Sequence, residues 1–278
     1  MFLVNGEPSS HVAISDRGLH YGDGLFETIA VAKRQTVFLD RHLKRLQAGC
    51  GKLRLPCPDT HLVTREAQYL CGQWESETAV LKLMLTRGSG SRGYRQPDII
   101  APTRILSLHP FPVYPADYQN DGINMRFCAT RLGLNPALAG IKHLNRLEQV
   151  LARAEWTDTD IQEGIMLDCQ GRIIEGTMSN LFYVKHSKLF TAALTQCGVS
   201  GIMRGIIIEQ ATDQGLDVSE QDFTQAELQN ADEIFICNAV IGIWPVRQIG
   251  SQSFPIGPLT RQIQSWVNAF RQGALSAA

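Results

Sequence analysis

Short apolar runs and one helical stripe give the chain its first outline. Phe2-Leu3-Val4 and Thr28-Ile29-Ala30-Val31 read as strands, the second rich in β-branched side chains. From Asp40, which takes an N-cap position, Leu43, Leu46 and Gln47 recur at helical spacing. Strands return at Val80–Leu85 and Thr103–Leu108. The next segment, His109 to Tyr114, leads into Pro115 and carries Pro110 and Pro112 as well. Proline fixes φ and removes an amide donor, so this stretch is expected to break strand structure and to link two domains. The expected boundaries are an N-terminal α/β domain over 1–108, a linker over 109–118 and a C-terminal domain over 119–278.

The second domain is expected to open with a strand over Ile123–Cys128. A helix should follow Lys142, because Leu144, Leu147, Leu151 and Ala154 form one stripe at i, i+3, i+7 and i+10. Gly164–Asp168, Arg172–Glu175 and Leu181–Val184 read as a strand meander. Further helices are expected at Ile202–Gln214 and Leu259–Gln272, and Ile234–Cys237 reads as a buried strand. No internal repeat or low-complexity tract interrupts this order, and the fold class is a mixed α/β (α+β) one.

Composition narrows the function. The 278 residues carry 26 basic and 27 acidic side chains, 44% are hydrophobic and 19% charged. That length suits one large or two modest domains. A net charge of -1 argues against a nucleic-acid or anionic-membrane partner, which normally selects a basic excess. No run of about 18 apolar residues occurs, and the start, Met-Phe-Leu-Val-Asn-Gly, lacks a signal peptide's basic region. The seven cysteines are scattered without any Cys-x-x-Cys pair, so neither zinc nor a disulfide framework is indicated. Buried thiols in a reducing cytoplasm are the economical reading.

Four segments could carry chemistry, each with a plain alternative. In Gly140-Ile141-Lys142-His143-Leu144-Asn145, a lysine among apolar groups tends to lose its proton and become a nucleophile. Most lysines are solvated, however, and residue type alone favours that reading. Glu175-Gly176-Thr177-Met178-Ser179-Asn180 could place a carboxylate against a protonated ring nitrogen, or be an ordinary polar turn. Gly198-Val199-Ser200-Gly201-Ile202-Met203-Arg204 opens a helix whose amides could hold a phosphate, or is a plain capped loop. The basic loop Arg87-Gly88-Ser89-Gly90-Ser91-Arg92-Gly93-Tyr94 could recognise carboxylates through paired guanidinium groups, or be a solvated hairpin. Walker, His-Glu-x-x-His and Gly-x-Ser-x-Gly patterns are absent, Gly18 to Gly24 does not give the Rossmann glycine spacing after a strand, and Asp121-Gly122 is a turn signal only.

Taken in order, these segments resemble the fold type IV pyridoxal-phosphate enzymes. That group holds branched-chain and D-amino acid aminotransferases and the lyases that act on aminodeoxychorismate. Ser15-Asp16-Arg17-Gly18-Leu19-His20-Tyr21-Gly22-Asp23-Gly24-Leu25-Phe26-Glu27-Thr28 is similar to the group's first turn and strand. Arg41-His42-Leu43-Lys44-Arg45-Leu46 resembles its phosphate-arginine helix, and Glu175 to Phe182 its pyridine-glutamate turn. The likeness runs from about residue 1 to 245. Ala139 to Glu148 and Arg87 to Tyr94 are similar to the lyase branch in particular, while Glu27 and Glu-Gly-Thr-Met-Ser-Asn are shared with the aminotransferases.

The resemblance implies a smaller N-terminal α/β domain and a larger C-terminal one with a β-barrel-like sheet and flanking helices. It implies pyridoxal 5'-phosphate, with Lys142 bonded to the cofactor aldehyde and acting as catalytic base. Arg45 becomes a phosphate ligand and Glu175 the partner of the pyridine nitrogen. Asn180, Gly201, Ile202, Asn238 and Ala239 become further cofactor contacts, and no metal is implied. Arg87, Arg92, Tyr94 and Arg104 become candidates for the substrate's carboxylates. The implied reaction eliminates pyruvate from 4-amino-4-deoxychorismate to leave 4-aminobenzoate, a folate precursor. Transamination of D- or branched-chain amino acids is the alternative. A cofactor-free scaffold protein is disfavoured by the joint presence of Lys142, Arg45 and Glu175. A cytoplasmic homodimer acting on a small molecule, with neither nucleic acid nor membrane as partner, completes the expectation.

Overall fold

A computed structural model describes residues 1–276, and its chain divides into two compact units. The first holds β1 (Phe2–Val4), β2 (Glu7–Pro8), α1 (Arg17–Tyr21), β3 (Gly24–Ala32), β4 (Gln35–Thr36), α2 (Leu39–Leu53), α3 (Thr60–Gln73), β5 (Ala79–Thr86) and β6 (Thr103–Pro110). Its six strands form an antiparallel sheet in the order β2-β1-β6-β5-β3-β4.

Along β3, Leu25, Glu27, Ile29 and Val31 are buried at every second position, the period of one strand face. Helix α2 packs on β3 with Leu39, His42, Leu43, Leu46 and Cys50 as its buried stripe. One charged and one titratable side chain, Glu27 and His42, thus stand in two otherwise apolar rows. Such groups persist in a core only when they are paired.

The second unit holds α4 (Asp117–Asn120), β7 (Ile123–Leu132), α5 (Leu147–Arg153), β8 (Glu163–Asp168), β9 (Ile173–Gly176), β10 (Asn180–Lys185), β11 (Lys188–Thr191), α6 (Ile202–Asp213), β12 (Val218–Glu220), α7 (Gln225–Gln229), β13 (Glu233–Asn238), β14 (Gly242–Ile249), β15 (Gln252–Ser253) and most of α8 (Pro258–Ser276). Its mixed sheet runs β12-β11-β10-β13-β14-β7-β8-β9, with β15 added on β14. A tight turn, closed by the Gly176 amide donating to the Ser179 carbonyl at 2.7 Å, carries β9 into β10 and curls the sheet toward a half-barrel. β10 and β13 are buried on both faces and read as nearly continuous apolar runs. Phe182 stacks on Phe235 with ring centroids 5.1 Å apart. Among the described residues, no helix is long and apolar enough to cross a membrane.

Several elements depart from the sequence expectations. Asp40 lies inside the first turn of α2 rather than at its N-cap, a place taken by Phe38 in the left-handed region at φ 58°. The carboxylate still opposes the positive end of the helix dipole there. β6 continues through His109 to Pro110, which pairs with Ala79 at the very end of the ladder, where the missing amide costs least.

The helix expected after Lys142 begins only at Leu147. Its stripe does not form: Leu147 is 76% exposed and Leu151 60%, while Ala152 is the buried residue. The reason is local. Ile141–Asn145 belongs to the first unit, where it runs extended beside β3: the Phe26 amide donates to the Lys142 carbonyl at 2.9 Å and the Leu144 amide to the Gly24 carbonyl at 3.0 Å. Backbone committed to a strand edge cannot also close helical turns.

Candidate active site

The first unit gathers Lys142, Phe26, Glu27, His42 and Arg45. Its extended backbone places the Lys142 amine 4.3 Å from the centroid of the Phe26 ring, half-buried on the π face. On the opposite face of β3, Glu27 receives α2. Arg45 donates from Nε to Oε1 at 2.8 Å and from Nη2 to Oε2, a bidentate clamp, and His42 Nδ1 lies 2.6 Å from Oε2. The spacing i, i+3 puts His42 and Arg45 on one helix face, so a single carboxylate serves both.

Burial pushes the Glu27 carboxyl upward, but Arg45 and His42 outweigh it and hold the group at about 2. An ionised carboxylate only accepts, so His42 carries its proton on Nδ1. Burial drives the His42 pKa below its ordinary value, and the charges of Arg45 and Lys142 push the same way against the pull of Glu27. The imidazole is therefore neutral and fully buried, with 0% of its surface exposed.

The second unit gathers Glu175, Asn180, Gly201, Ile202, Asn238 and Ala239 at one end of its sheet, where Asn180 pairs with Cys237 at the start of β10 and the end of β13. Glu175 ends up buried on β9. Its Oε2 accepts the Val199 amide at 2.8 Å, and Gln149 Nε2 stands 3.5 Å from Oε1. Asn180 braces the loop before α6 twice: Nδ2 donates to the Val199 carbonyl at 2.9 Å and Oδ1 accepts the Gly201 amide at 3.1 Å. A Cβ at Gly201 would stand 2.1 Å from Asn180 Oδ1, so only glycine admits this approach. Helix α6 has no side-chain cap, which leaves the amides of its first turn, Ile202 and Met203, pointing out of the helix without intrahelical partners.

Glu163, which sequence reading missed, anchors the turn between Glu175 and Asn180. It is fully buried, and its carboxylate accepts Thr177 N and Oγ1, Met178 N and Ser179 Oγ. Asn238 closes a turn through the Val240 and Ile241 amides and donates to the Met178 carbonyl, which ties β13 to the same turn.

The four candidates for substrate carboxylates divide. Arg104 is clamped by Glu66, with Nε 2.6 Å from Oε2. Arg87 is 2% exposed and donates to Asp23 and to the Leu53 and Arg54 carbonyls at the end of α2. The carboxylate each meets is therefore the protein's own. Arg92 and Tyr94 are exposed, on a loop whose backbone is fixed from below by Arg17.

The chain belongs to the amino-transferase class IV family, whose pattern matches residues 24–249. It is 40% identical to an aminodeoxychorismate lyase of Vibrio harveyi over 96% of this chain and 100% of that one. A putative branched-chain-amino-acid aminotransferase of Methanocaldococcus jannaschii is 30% identical over 93% of this chain and 90% of its own. Among solved structures, 4-amino-4-deoxychorismate lyase from Pseudomonas aeruginosa superposes with a TM-score of 0.93 at 45% identity, covering 97% of this chain and 98% of that one. The branched-chain amino acid aminotransferase of Escherichia coli does so at 0.89 and 27%, over 98% and 95%. The expected fold class holds.

Proposed function

We propose that the protein is a pyridoxal-phosphate-dependent carbon–oxygen lyase that converts 4-amino-4-deoxychorismate to 4-aminobenzoate and pyruvate. The observation that carries this reading is the near full-length likeness to two lyases of that name at 40% and 45% identity, against 30% and 27% for the aminotransferases. Transamination is the second reading, supported by the same scaffold.

The residues present fit the cofactor on the structure's own terms. An uncapped helix start behind a glycine that tolerates no Cβ suits a phosphate. A buried glutamate with one oxygen fixed by a backbone amide suits a ring N–H. Pyridoxal phosphate, when bound, supplies an aldehyde that captures amines and a ring that draws electrons from the carbon beside the captured nitrogen.

Lys142 would hold the aldehyde through Nζ. Once the substrate's amine has taken its place, Nζ would lift the proton from the amine-bearing carbon and return one to the departing ether oxygen. Glu175 would keep the ring nitrogen protonated. Arg45, its direction set by Glu27, and the amides of Ile202 and Met203 would neutralise the phosphate. Asn180 would act through the loop it braces, and Asn238 and Ala239 from the end of β13. Membership in the group supports a homodimer, and seven free thiols support a reducing cytoplasm.

The test supplies aminodeoxychorismate without any oxo acid. Stoichiometric pyruvate and 4-aminobenzoate are expected. Turnover that requires 2-oxoglutarate and an amino acid would instead establish the aminotransferase. The substrate carries two carboxylates, and of the two exposed candidates Arg92 is the one with a fork to meet them. Arg92→Ala is expected to raise KM about tenfold or more with kcat within about twofold, read from steady-state kinetics. An unchanged KM removes Arg92 from the site.

A further inference from the structure

The loop between β5 and β6 is long, glycine-rich and exposed at Arg92 and Tyr94, yet one buried device holds it at its first residue and at Gly93–Arg95. The Arg17 side chain, 5% exposed, donates from Nη1 to the carbonyls of Gly93 at 2.9 Å and Arg95 at 3.4 Å, and from Nη2 to that of Tyr94 at 3.3 Å. Its Nε binds Asp23 Oδ2 at 2.9 Å, and the same oxygen takes Nε of Arg87, the loop's first residue, at 2.8 Å. Tyr21 reinforces the clamp. Its ring lies under the Arg17 guanidinium at 4.8 Å, its hydroxyl accepts the Gly93 amide at 3.1 Å, and its ring meets that of Tyr94 at 5.4 Å. A Cβ at Gly90 would stand 2.9 Å from Arg17 Cδ, so the loop also folds closely over the side chain.

Three successive carbonyls drawn to one planar cation is a job for a guanidinium, whose five donors form a rigid fork; an ammonium offers a single point. The loop carries Gly88, Gly90 and Gly93, which favour freedom, so the fork's bonds at Gly93–Arg95 add to those that hold its start, the Arg17 amide on the Gly88 carbonyl and the Gly90 amide on the Ser15 carbonyl. We infer that Arg17 is a positioning residue for substrate recognition: it fixes the backbone from which Arg92 and Tyr94 reach the substrate's carboxylate. This rests on the reading of that loop as the substrate loop. Ordering a recognition loop in advance removes its entropic cost from binding, so the effect falls on KM rather than on the chemical step.

The test uses the full-length, cofactor-loaded enzyme carrying Arg17→Lys, which keeps the charge beside Asp23, and separately Tyr21→Phe, which removes one hydrogen bond and leaves the fold's ion pairs intact. Limited trypsin digestion followed by mass spectrometry reads cleavage after Arg92 and Arg95, and steady-state kinetics read kcat and KM. Arg17→Lys is expected to speed cleavage at both bonds about tenfold and to raise KM about tenfold with kcat within about twofold. Tyr21→Phe should move both readouts the same way by less, and it carries the test if Arg17→Lys does not fold. Unchanged cleavage overturns the clamp. Faster cleavage with KM unmoved, while Arg92→Ala raises KM, overturns its role in recognition. If Arg92→Ala leaves KM unmoved, the substrate reading of the loop has failed, and the recognition role falls with it whatever trypsin shows.

Discussion

Lys142→Ala is expected to lower turnover roughly ten-thousand-fold or more and to abolish the visible absorbance of the bound cofactor, with the melting temperature nearly unchanged. The size follows from asking one Nζ to hold the aldehyde, take a proton from carbon and deliver one to oxygen, since losing a positioned general base alone costs about 10²–10⁴-fold. The small structural effect follows from what holds this segment in place. The Lys142 amine sits over the Phe26 ring, a contact worth about 0.5–2 kcal/mol, while the backbone bonds of Phe26 and Leu144 to this segment do not involve the side chain. Lys142→Arg separates the two roles: it keeps a cation for Phe26 but cannot bond the aldehyde, so it should melt like the parent and be equally inactive. A variant of either kind that retains a tenth of the activity would remove Lys142 from the chemistry.

Glu27→Gln is expected to cost about 3–5 kcal/mol, the usual penalty for leaving one partner of a buried ion pair unmatched. A carboxylate accepts from Arg45 at two points and from His42 at a third. The amide of glutamine would turn a donor toward a donor in a site with no water-facing escape. Thermal denaturation should show a fall of roughly ten degrees, and cofactor retention on dialysis should weaken because Arg45 loses the group that aims it.

The pH dependence of the same variant has a definite sign. Glu27 is held at about 2 against an ordinary value of 4.5. Its contribution to stability is therefore complete above pH 4.5 and disappears as the pH falls toward 2. The stability gap between parent and Glu27→Gln should narrow over that window. A gap that stays constant from neutral pH to pH 2 would mean that Glu27 is not ionised in the fold.

Much of the sheet structure was legible because β-branched and leucine-rich runs such as those of β3, β5 and β13 allow few other conformations. Helix α3 was not. Its buried row includes Glu66 beside Val63, Ala67 and Leu70, and Glu66 is buried only because Arg104, far away in sequence, neutralises it. A pattern search for apolar periodicity meets a charge there and stops. The stretch after Lys142 misled in the opposite direction. Leu144 shares a helical spacing with Leu147 and Leu151, but hydrogen bonds to β3, which no spacing records, hold it extended.

The site was legible mainly through motif likeness, since Lys142 by residue type alone reads as one more solvated lysine. His42 could have been found from its place in the α2 stripe, one turn before Arg45. Arg17 could not: its loop partners are carbonyl oxygens, and every residue has one.

The extended strip around Lys142 also bears on the order in which the molecule can be made. A nascent chain that has emerged as far as Pro112 already carries all six strands of the first sheet. Until Asn145 follows, however, the Phe26 amide and the Gly24 carbonyl lack the backbone partners they have in the finished fold. The ladder beside β3 closes only through a contact spanning more than a hundred residues, the kind that forms late because loop closure must precede its reward. The proposed catalytic lysine is thus set in place by one of the last joins of the N-terminal unit, and a chain stalled before that point would display a sheet without its chemistry.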